Sequence, residues 1–466
     1  MKHEIIGDRA FYRSVLALGF PVALQNLLGT TAGMVDTIMV ATQGQAAVAA
    51  VGICGSVIGL LFSTFYGFIA GGMIFFAQYF GAKDEDNICR AYGLMIACIM
   101  PLGIAFGGVC VTAPLMVVNV FTDKPTIAQI GASFLRIAGW SFPLTVLSMG
   151  ISSLLRSTER VKLPLYASIA ALITNFLVNW VLIFGRFGFP AMGVRGAAVG
   201  AVISSAVNVA VLYALTTRER HSLLLRLRDQ LAWSRLFVKQ FLTKSAPLIG
   251  HEMLYGIGLA LINIVIGRQS ESGIAAITVF RTLEGLIFAF FMGLVNASSV
   301  MVGKDVGAGN HRQAYLDTKR FAILAPAVTL SICLLILPAR GWLLPLFNLG
   351  DEALGMVTWM LVIYTVTGTV RICTYVINGI FRAGGETVFG TILELSGMFL
   401  ITVPAVFLGG MVWRLPFLAV FALIFSDDLL RLILELKYMR SGRWIKPVTP
   451  EGVDRLEAFL GELCGK

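Results

Sequence analysis

Twelve mostly apolar runs of about 20 to 30 residues, separated by short charged or Pro/Gly-bearing segments, constrain this chain more than any motif in it. Each run is long enough to cross a hydrocarbon core of roughly 30 Å as a helix. Lipid offers the backbone no hydrogen-bonding partner, so each span must satisfy its own polar groups. The runs begin near Ser14, Ala46, Ala91, Thr126, Leu163, Val194, Gln240, Gly273, Ala314, Ala353, Thr387 and Arg414. They lack the strict alternation of a porin-type barrel. With 13% charged residues and a mean hydropathy of +0.83, a soluble fold of 466 residues is ruled out. The expected fold is all-α and polytopic, with twelve transmembrane helices.

The net charge of +10 invites a nucleic-acid reading, but the charge sits in loops. Of the 36 Lys and Arg, 26 fall on one set of alternate loops and 6 on the other, with Arg136, Arg281, Arg371 and Arg431 inside spans. That asymmetry places both termini of a multi-pass membrane protein in the cytoplasm, with the lipid bilayer and not nucleic acid as its surroundings. The stretch before Arg13 is polar and the run from Ser14 to Ala41 is too long for an h-region, so no cleavable signal peptide is expected. Seven cysteines show no CxxC spacing, and Cys54, Cys98, Cys110, Cys333 and Cys373 lie in apolar runs. They read as packing residues and not as a disulfide or metal framework.

Slid against itself by 226 residues, the chain matches in an ungapped register. Pro21 falls on Pro247, Ala49-Ala50 on Ala275-Ala276, Phe62 on Phe288, Gly67 on Gly293, Gly81-Ala82 on Gly307-Ala308, Phe121 on Phe347 and Arg156 on Arg382. Duplicating an even number of helices keeps both copies in one orientation, giving two pseudo-symmetric six-helix lobes. The expected boundaries are 1–217 for the first lobe, 218–239 for a cytoplasmic linker, 240–440 for the second lobe and 441–466 for a cytoplasmic tail. Leu223, Leu224, Leu225 and Leu227, interleaved with basic residues, read as an interfacial segment. This is a transporter architecture, with a two-lobed channel or scaffold as the plain alternative.

The first span carries "VDTIMV" (Val35 to Val40) and then "GQAAVAAVG". The fifth span and the loop after it read "NFLVNWVLIFGRFGFPAMGVRGAAVG" from Asn175, and "FGAKDE" and "VGAGNHRQA" follow the second and eighth. Together and in this order, these strings resemble the multidrug and toxic compound extrusion (MATE) family up to about residue 440, with the NorM-like bacterial branch nearest in motif. The resemblance implies a monomeric, cofactor-free secondary antiporter, not an enzyme. Its two lobes would rock to export amphipathic, cationic drugs and dyes in exchange for H+ or Na+. No Walker loop is present to suggest direct ATP drive.

Asp36 lies in the outer half of the first span, where a lone carboxylate costs about 2.5 to 3.5 kcal/mol and persists mainly beside water or a partner. It is a candidate proton carrier, neutral in one facing and ionised or Na+-bound in the other, and it matches the functional Asp of the family's first helix. Asn175 and Asn179, four apart, share a helix face. The resemblance turns that face toward Asp36, although some branches carry Asp where Asn179 stands. Interhelical glue is the alternative for the pair.

The second lobe holds Glu252, Glu284, Glu394, Asp427 and Asp428 against Arg281, Arg371 and Arg431. Ile262 stands opposite Asp36 in the repeat, and His251-Glu252 replaces Gln25-Asn26. Helical spacing pairs Arg281 with Glu284 and Arg431 with Asp427 and Asp428. Glu252 has no evident partner but His251, whose ring is expected to point elsewhere, so Glu252 is the second candidate carrier. The NorM-like acids of the seventh and tenth helices would fall at Tyr255 and Arg371, so the family's two-carboxylate cation site does not carry over. Either Arg371 tunes Glu252 or Glu284, or the second lobe accepts an anionic or zwitterionic group.

Smaller signals are read as structure. The GxxxG pairs Gly29/Gly33, Gly67/Gly71 and Gly103/Gly107 suit helix packing. A tail helix from Thr449 should turn Val453, Leu456, Phe459 and Leu463 inward. A lipid-linked precursor flippase of the same superfamily, or a membrane scaffold without transport, stays open beside the antiporter reading.

Overall fold

A computed structural model describes residues 7–122, 124–218, 226–344 and 350–464. Leu223 to Leu225 of the expected linker and Phe347 of the repeat lie outside the described residues. The apolar runs become helices: α1 (Arg9–Ala41), α2 (Gln45–Gly81), α3 (Glu85–Thr112), short α4 (Pro114–Asn119), α5 (Pro125–Ala138), α6 (Ser141–Ser157), α7 (Lys162–Phe184) and α8 (Val194–Arg218). After α9 (Leu227–Gln230) come α10 (Arg235–Ile266), α11 (Glu271–Gly307), α12 (His311–Leu343) and α13 (Asp351–Ala383). The eleventh run holds α14 (Phe389–Ser396) and α15 (Val403–Phe407), continued by π-helical turns at Gly397–Thr402 and Leu408–Val412. The twelfh run divides into α16 (Phe417–Leu423) and α17 (Asp428–Arg440), and α18 (Pro450–Cys464) ends the described chain.

Among the described residues, ten helices are long and apolar enough to cross a membrane, and α5 with α6, bent by 54°, supplies an eleventh crossing. The twelfth is broken around Ile424 to Asp427 and charged in α17. Helices α1, α3 and α10 begin before the apolar runs do, at Arg9, Glu85 and Arg235. A solvated charged turn can stay helical where its first amides find acceptors. In α3, Asp84 accepts from the Asn87 amide at 3.1 Å, and Glu85 and Asp86 complement the helix dipole.

By contact the chain separates into two compact units. The first comprises Leu24–Phe76 and Asp84–Ile249; the second runs up to Ala23 and includes Ala77–Lys83 and the chain from Gly250 onward. Helices α1, α2 and α10 each pass from one unit into the other, so these units divide the chain by contact where the 226-residue repeat divides it by descent.

In the first unit, α7 ends at Gly185 in the left-handed region (φ 68°) and the chain doubles back into α8, with the Met192 amide donating to the Leu182 carbonyl at 2.8 Å. The GxxxG reading holds for Gly103 and Gly107, which pack on Val146 and Gly139, and for Gly67 and Gly71, which meet Ile249 and Ser245. It fails for Gly29 and Gly33: a Cβ there would have no atom within 4 Å.

In the second unit, α13 packs against α11 and α12 around fully buried Phe280, Phe321, Phe381, Phe421 and Trp444. The tail is bound in: Lys446 N donates to Gly384 O at 2.7 Å, Val448 N to Gln78 Oε1 at 2.7 Å, and Thr449 Oγ1 to Gly307 O at 2.7 Å. Phe459 of α18 is buried as expected, but Val453 is 53% exposed. The Thr449 hydroxyl donates to Gly307 O and accepts from the Gly452 amide at the start of this helix, whose next residue, Val453, faces outward.

Candidate functional site

In the first unit, α1 carries Asp36 and α7 carries Asn175 and Asn179. Asn179 Nδ2 donates to Asp36 Oδ1 at 2.8 Å and to Asn175 Oδ1 at 3.1 Å. With its amide turned, Asn175 instead donates to Asp36, its nitrogen 2.7 Å from Oδ1 and 3.3 Å from Oδ2, and the bond from Asn179 to Asn175 is given up. The i, i+4 spacing thus points two amides at one carboxylate, as the helical face requires. Asn179 Oδ1 is buried without a partner and faces Gly200 of α8. A Cβ at Gly200 would collide with that oxygen, so glycine is what lets α8 close over the site.

In the second unit, ion contacts of 2.9 to 4.0 Å join five carboxylates, Glu252, Glu394, Asp427, Asp428 and Glu435, to Arg371, Arg382 and Arg431, with His251 between Glu252 and Glu394. Arg371 Nε donates to Asp428 Oδ2 at 2.9 Å, and its Nη2 donates to the Ile424 carbonyl at 2.7 Å. That carbonyl lies at the break between α16 and α17, so Arg371 satisfies a backbone group the broken helix leaves over. Asp427 and Asp428 sit at the start of α17, where the helix dipole favours acids.

Arg431 lies 3.6 Å from Asp427 and 3.4 Å from Asp428, the pairing its spacing predicted, and also reaches Glu394 at 3.8 Å and Glu435 at 3.8 Å. Tyr255, Arg371, Tyr375, Glu394, Asp427 and Arg431 line a cavity with room for only a few waters. The π turn at Gly397–Thr402 brings Met398 and Thr402 to its wall, and Thr402 donates to Asp427 at 2.7 Å.

Two sequence readings are corrected, and Arg371 is given its direct partner. His251 does not point away from Glu252: its Nδ1 lies 3.3 Å from Glu252 Oε1 and its Nε2 lies 2.9 Å from Glu394 Oε2. Arg281 does not pair with Glu284. It donates to Asn263 of α10 at 2.5 Å, while Glu284 bonds Tyr364, because each side chain finds a partner on a neighbouring helix. Arg371 is held by Asp428, and the arginine nearest Glu252 is Arg382, at 4.0 Å.

Sequence reasoning missed Arg382, read as a loop residue, along with His251 as a bridge and Glu435. The signal was there in the repeat. Positions 25, 168 and 156 fall on 251, 394 and 382, and both trios meet. Gln25 Nε2 donates to Ser168 Oγ at 2.7 Å and Arg156 Nη2 to Gln25 Oε1 at 2.9 Å, while His251 and Arg382 both contact Glu394, at 2.9 and 3.5 Å.

Comparison with known proteins bears on the fold and its repeat. The MatE family model matches residues 21–181 and again 247–408, two matches whose starts lie one repeat apart. "Uncharacterized transporter YisQ" of Bacillus subtilis is 20% identical over 94% of this chain and 96% of its own length. "Probable multidrug resistance protein NorM" of Thermotoga maritima is 23% identical over 93% of each chain. Among solved structures, one of MATE in complex with MaL6 superposes with a TM-score of 0.83 at 18% identity, covering 99% of both chains. A MOP superfamily transporter from Pyrococcus furiosus, described as having a binding pocket of reverse polarity, gives a TM-score of 0.80 at 18% identity over 94% of this chain and 96% of its own. Matched in both copies of its repeat, this multi-pass membrane chain belongs to the MatE family of multidrug efflux transporters.

Proposed function

We propose that the chain is a secondary active antiporter that exports amphipathic, cationic compounds in exchange for H+ or Na+. It would work as a monomer in the bacterial inner membrane, with both termini cytoplasmic and lobes at 1–217 and 240–440. The observation that carries this reading is Asp36 gripped by Asn179, with Asn175 in reach. Amide donors favour the ionised carboxylate, so a proton, Na+ or a substrate ammonium competes for one negative group. Coupling needs only that the competitors bind unequally in the two facings.

The second carrier in this scheme is Glu252. Five carboxylates against three arginines leave the network acid-rich, so an added cation is accommodated there. Glu252 is its most open acid, with 21% of its side chain exposed, and His251 links it to buried Glu394. Tyr255, Arg371, Glu394, Asp427 and Asp428 serve as cavity wall and charge frame, with Arg281 and Glu284 beside it. Against a flippase for a pyrophosphate-linked lipid, Arg371 and Arg431 are already engaged by carboxylates.

The test is dye efflux from everted vesicles under separately imposed proton and Na+ gradients. Wild type should pump under at least one gradient. Asp36→Asn should lose most of that coupled transport, on the order of tenfold or more, and Glu252→Gln should lose part of it. Normal transport by Asp36→Asn under both gradients would remove Asp36 from the mechanism.

A further inference from the structure

Arg371, Arg382 and Arg431 of the second unit all touch carboxylates, but Arg156 of the first unit does not. Its Nη2 donates to Gln25 Oε1 at 2.9 Å, and its Nε is buried with no partner. Among the described residues no ion pair reaches it, and the one titratable neighbour bearing on it is the phenol of Tyr66. A guanidinium carries five N–H donors in a planar fork, and in an apolar surround it is costly unless paired. The repeat shows what the fold puts beside such a residue when it completes the site. Arg382, the counterpart of Arg156, contacts Glu394, and the residue at the equivalent place in the first copy is Ser168. Ser168 stands 2.7 Å from the Gln25 amide, so hydroxyl, amide and guanidinium converge where the second copy has a carboxylate. Gln25, Tyr66, Arg156 and Ser168 are all partly accessible, as a ligand site requires.

We propose that Arg156, Gln25 and Ser168 form a subsite for the carboxylate of an amphipathic solute, which occupies the place that Glu394 fills in the other copy. Arg156 offers a bidentate fork to the two oxygens, and Ser168 and Gln25 fix its rotation. Gln25 and Asp36 lie eleven residues apart on α1, about three turns and on one face, so a zwitterion would direct its ammonium along α1 toward the acid. The solute class deepens the export reading above, whereas the subsite itself stands on the contacts of Arg156.

The experiment measures binding, which does not depend on export. Nε-dansyl-lysine and its methyl ester form a matched pair, differing by the carboxylate, and each is titrated by fluorescence into the purified full chain. Wild type should bind the acid about tenfold more tightly relative to the ester than Ser168→Glu does, since the new carboxylate neutralises Arg156. Arg156→Gln should lose the same ratio, which separates lost recognition from poor folding of one variant. An unchanged acid-to-ester ratio in both variants, or binding of neither probe by wild type, overturns the proposal. Repeating the titration in phosphatidylcholine and phosphatidylglycerol nanodiscs tests the other source of an anion. If phosphatidylglycerol abolishes the acid preference, Arg156 holds a lipid phosphate and the solute proposal falls. Efflux of the ester without any acid preference would leave export standing and remove only this subsite.

Discussion

The two copies of the repeat build the same contact from opposite chemistry. Arg156 donates to the Gln25 amide, which in turn bonds the Ser168 hydroxyl; Arg382 contacts the Glu394 carboxylate, which in turn meets the His251 imidazole. About three turns along α1 the balance reverses. Asp36, Asn175 and Asn179 of the first copy fall on Ile262, Ile401 and Ala405 of the second. Positions 145, 201, 202, 205 and 209, which are Thr, Ala, Val, Ser and Val, become Arg371, Asp427, Asp428, Arg431 and Glu435. Duplication therefore fixed which positions face one another, and later substitution moved the charge between them. The first copy concentrates its carboxylate at one Asn-held site, whereas the second disperses five acids over a shared frame. A single carboxylate can be emptied or filled as a unit, but a frame resists losing any one member, because each removal strands a buried partner.

The sharpest way to break this comparison is to remove the shared acid of the second copy. Glu394 accepts from Asn378 at 2.8 Å and contacts His251, Arg382 and Arg431 while only 3% exposed. Glu394→Gln should destabilise the protein by about 3 to 5 kcal/mol, the range for breaking a buried ion pair. Ser168→Ala, at the equivalent place, should cost no more than about 1.5 kcal/mol, a neutral hydrogen bond. SDS titration of the micellar protein measures both. Equal losses would mean that the frame's charges do not depend on one another.

A middle-sized effect tests how the copies end their tenth and fourth spans. After Arg156 and after Arg382 the helix stops in the same way: Arg160 N donates to Leu155 O at 2.8 Å and Glu386 N to Phe381 O at 2.9 Å. The turn holds a left-handed residue in each, Glu159 at φ 63° and Gly385 at φ 91°. A Cβ at Gly385 would run into the Lys446 carbonyl of the tail. Gly385→Ala should therefore cost about 1 to 2 kcal/mol in backbone strain and loosen the tail. Faster trypsin cleavage after Arg443 with an otherwise resistant chain is the expected result; unchanged cleavage would show that the tail does not depend on this turn.

The spans, their number and the repeat were legible in the sequence because apolar length and register survive substitution. So was the Asp36 site, since Asn175 and Asn179 share a helix face and a resemblance aimed it. The second-copy partners were not legible from spacing along single helices. Arg371 meets Asp428, Arg281 meets Asn263 and His251 meets Glu394, all across helices, where the one-dimensional pattern carries no distance. The 226-residue offset carried the missing information for positions 25, 156 and 168, since one copy's neighbours predict the other's. Nothing in the first copy predicts the tail's contacts, because the tail has no duplicate.

The smallest effect concerns that unduplicated tail. Glu386, whose counterpart in the first copy is Arg160, accepts from the Val388 and Phe389 amides at 3.0 and 3.1 Å and from Tyr438 at 2.8 Å, and it pairs with Lys446. Burial pushes its pKa up, but Lys446, the two amides and Tyr438 together hold the carboxyl below the ordinary glutamate range. The folded state thus binds its proton less readily than the unfolded chain. The resulting stabilisation is complete above the unfolded value and is lost as pH falls through the lower folded value. Glu386→Gln should consequently lower the thermal midpoint at pH 7, and the gap from wild type should shrink steadily on acidification below about pH 5. A gap that stays constant down to pH 3 would mean that Glu386 acts through shape alone. The tail would then be held by Gln78, Gly307 and Gly384 without help from charge.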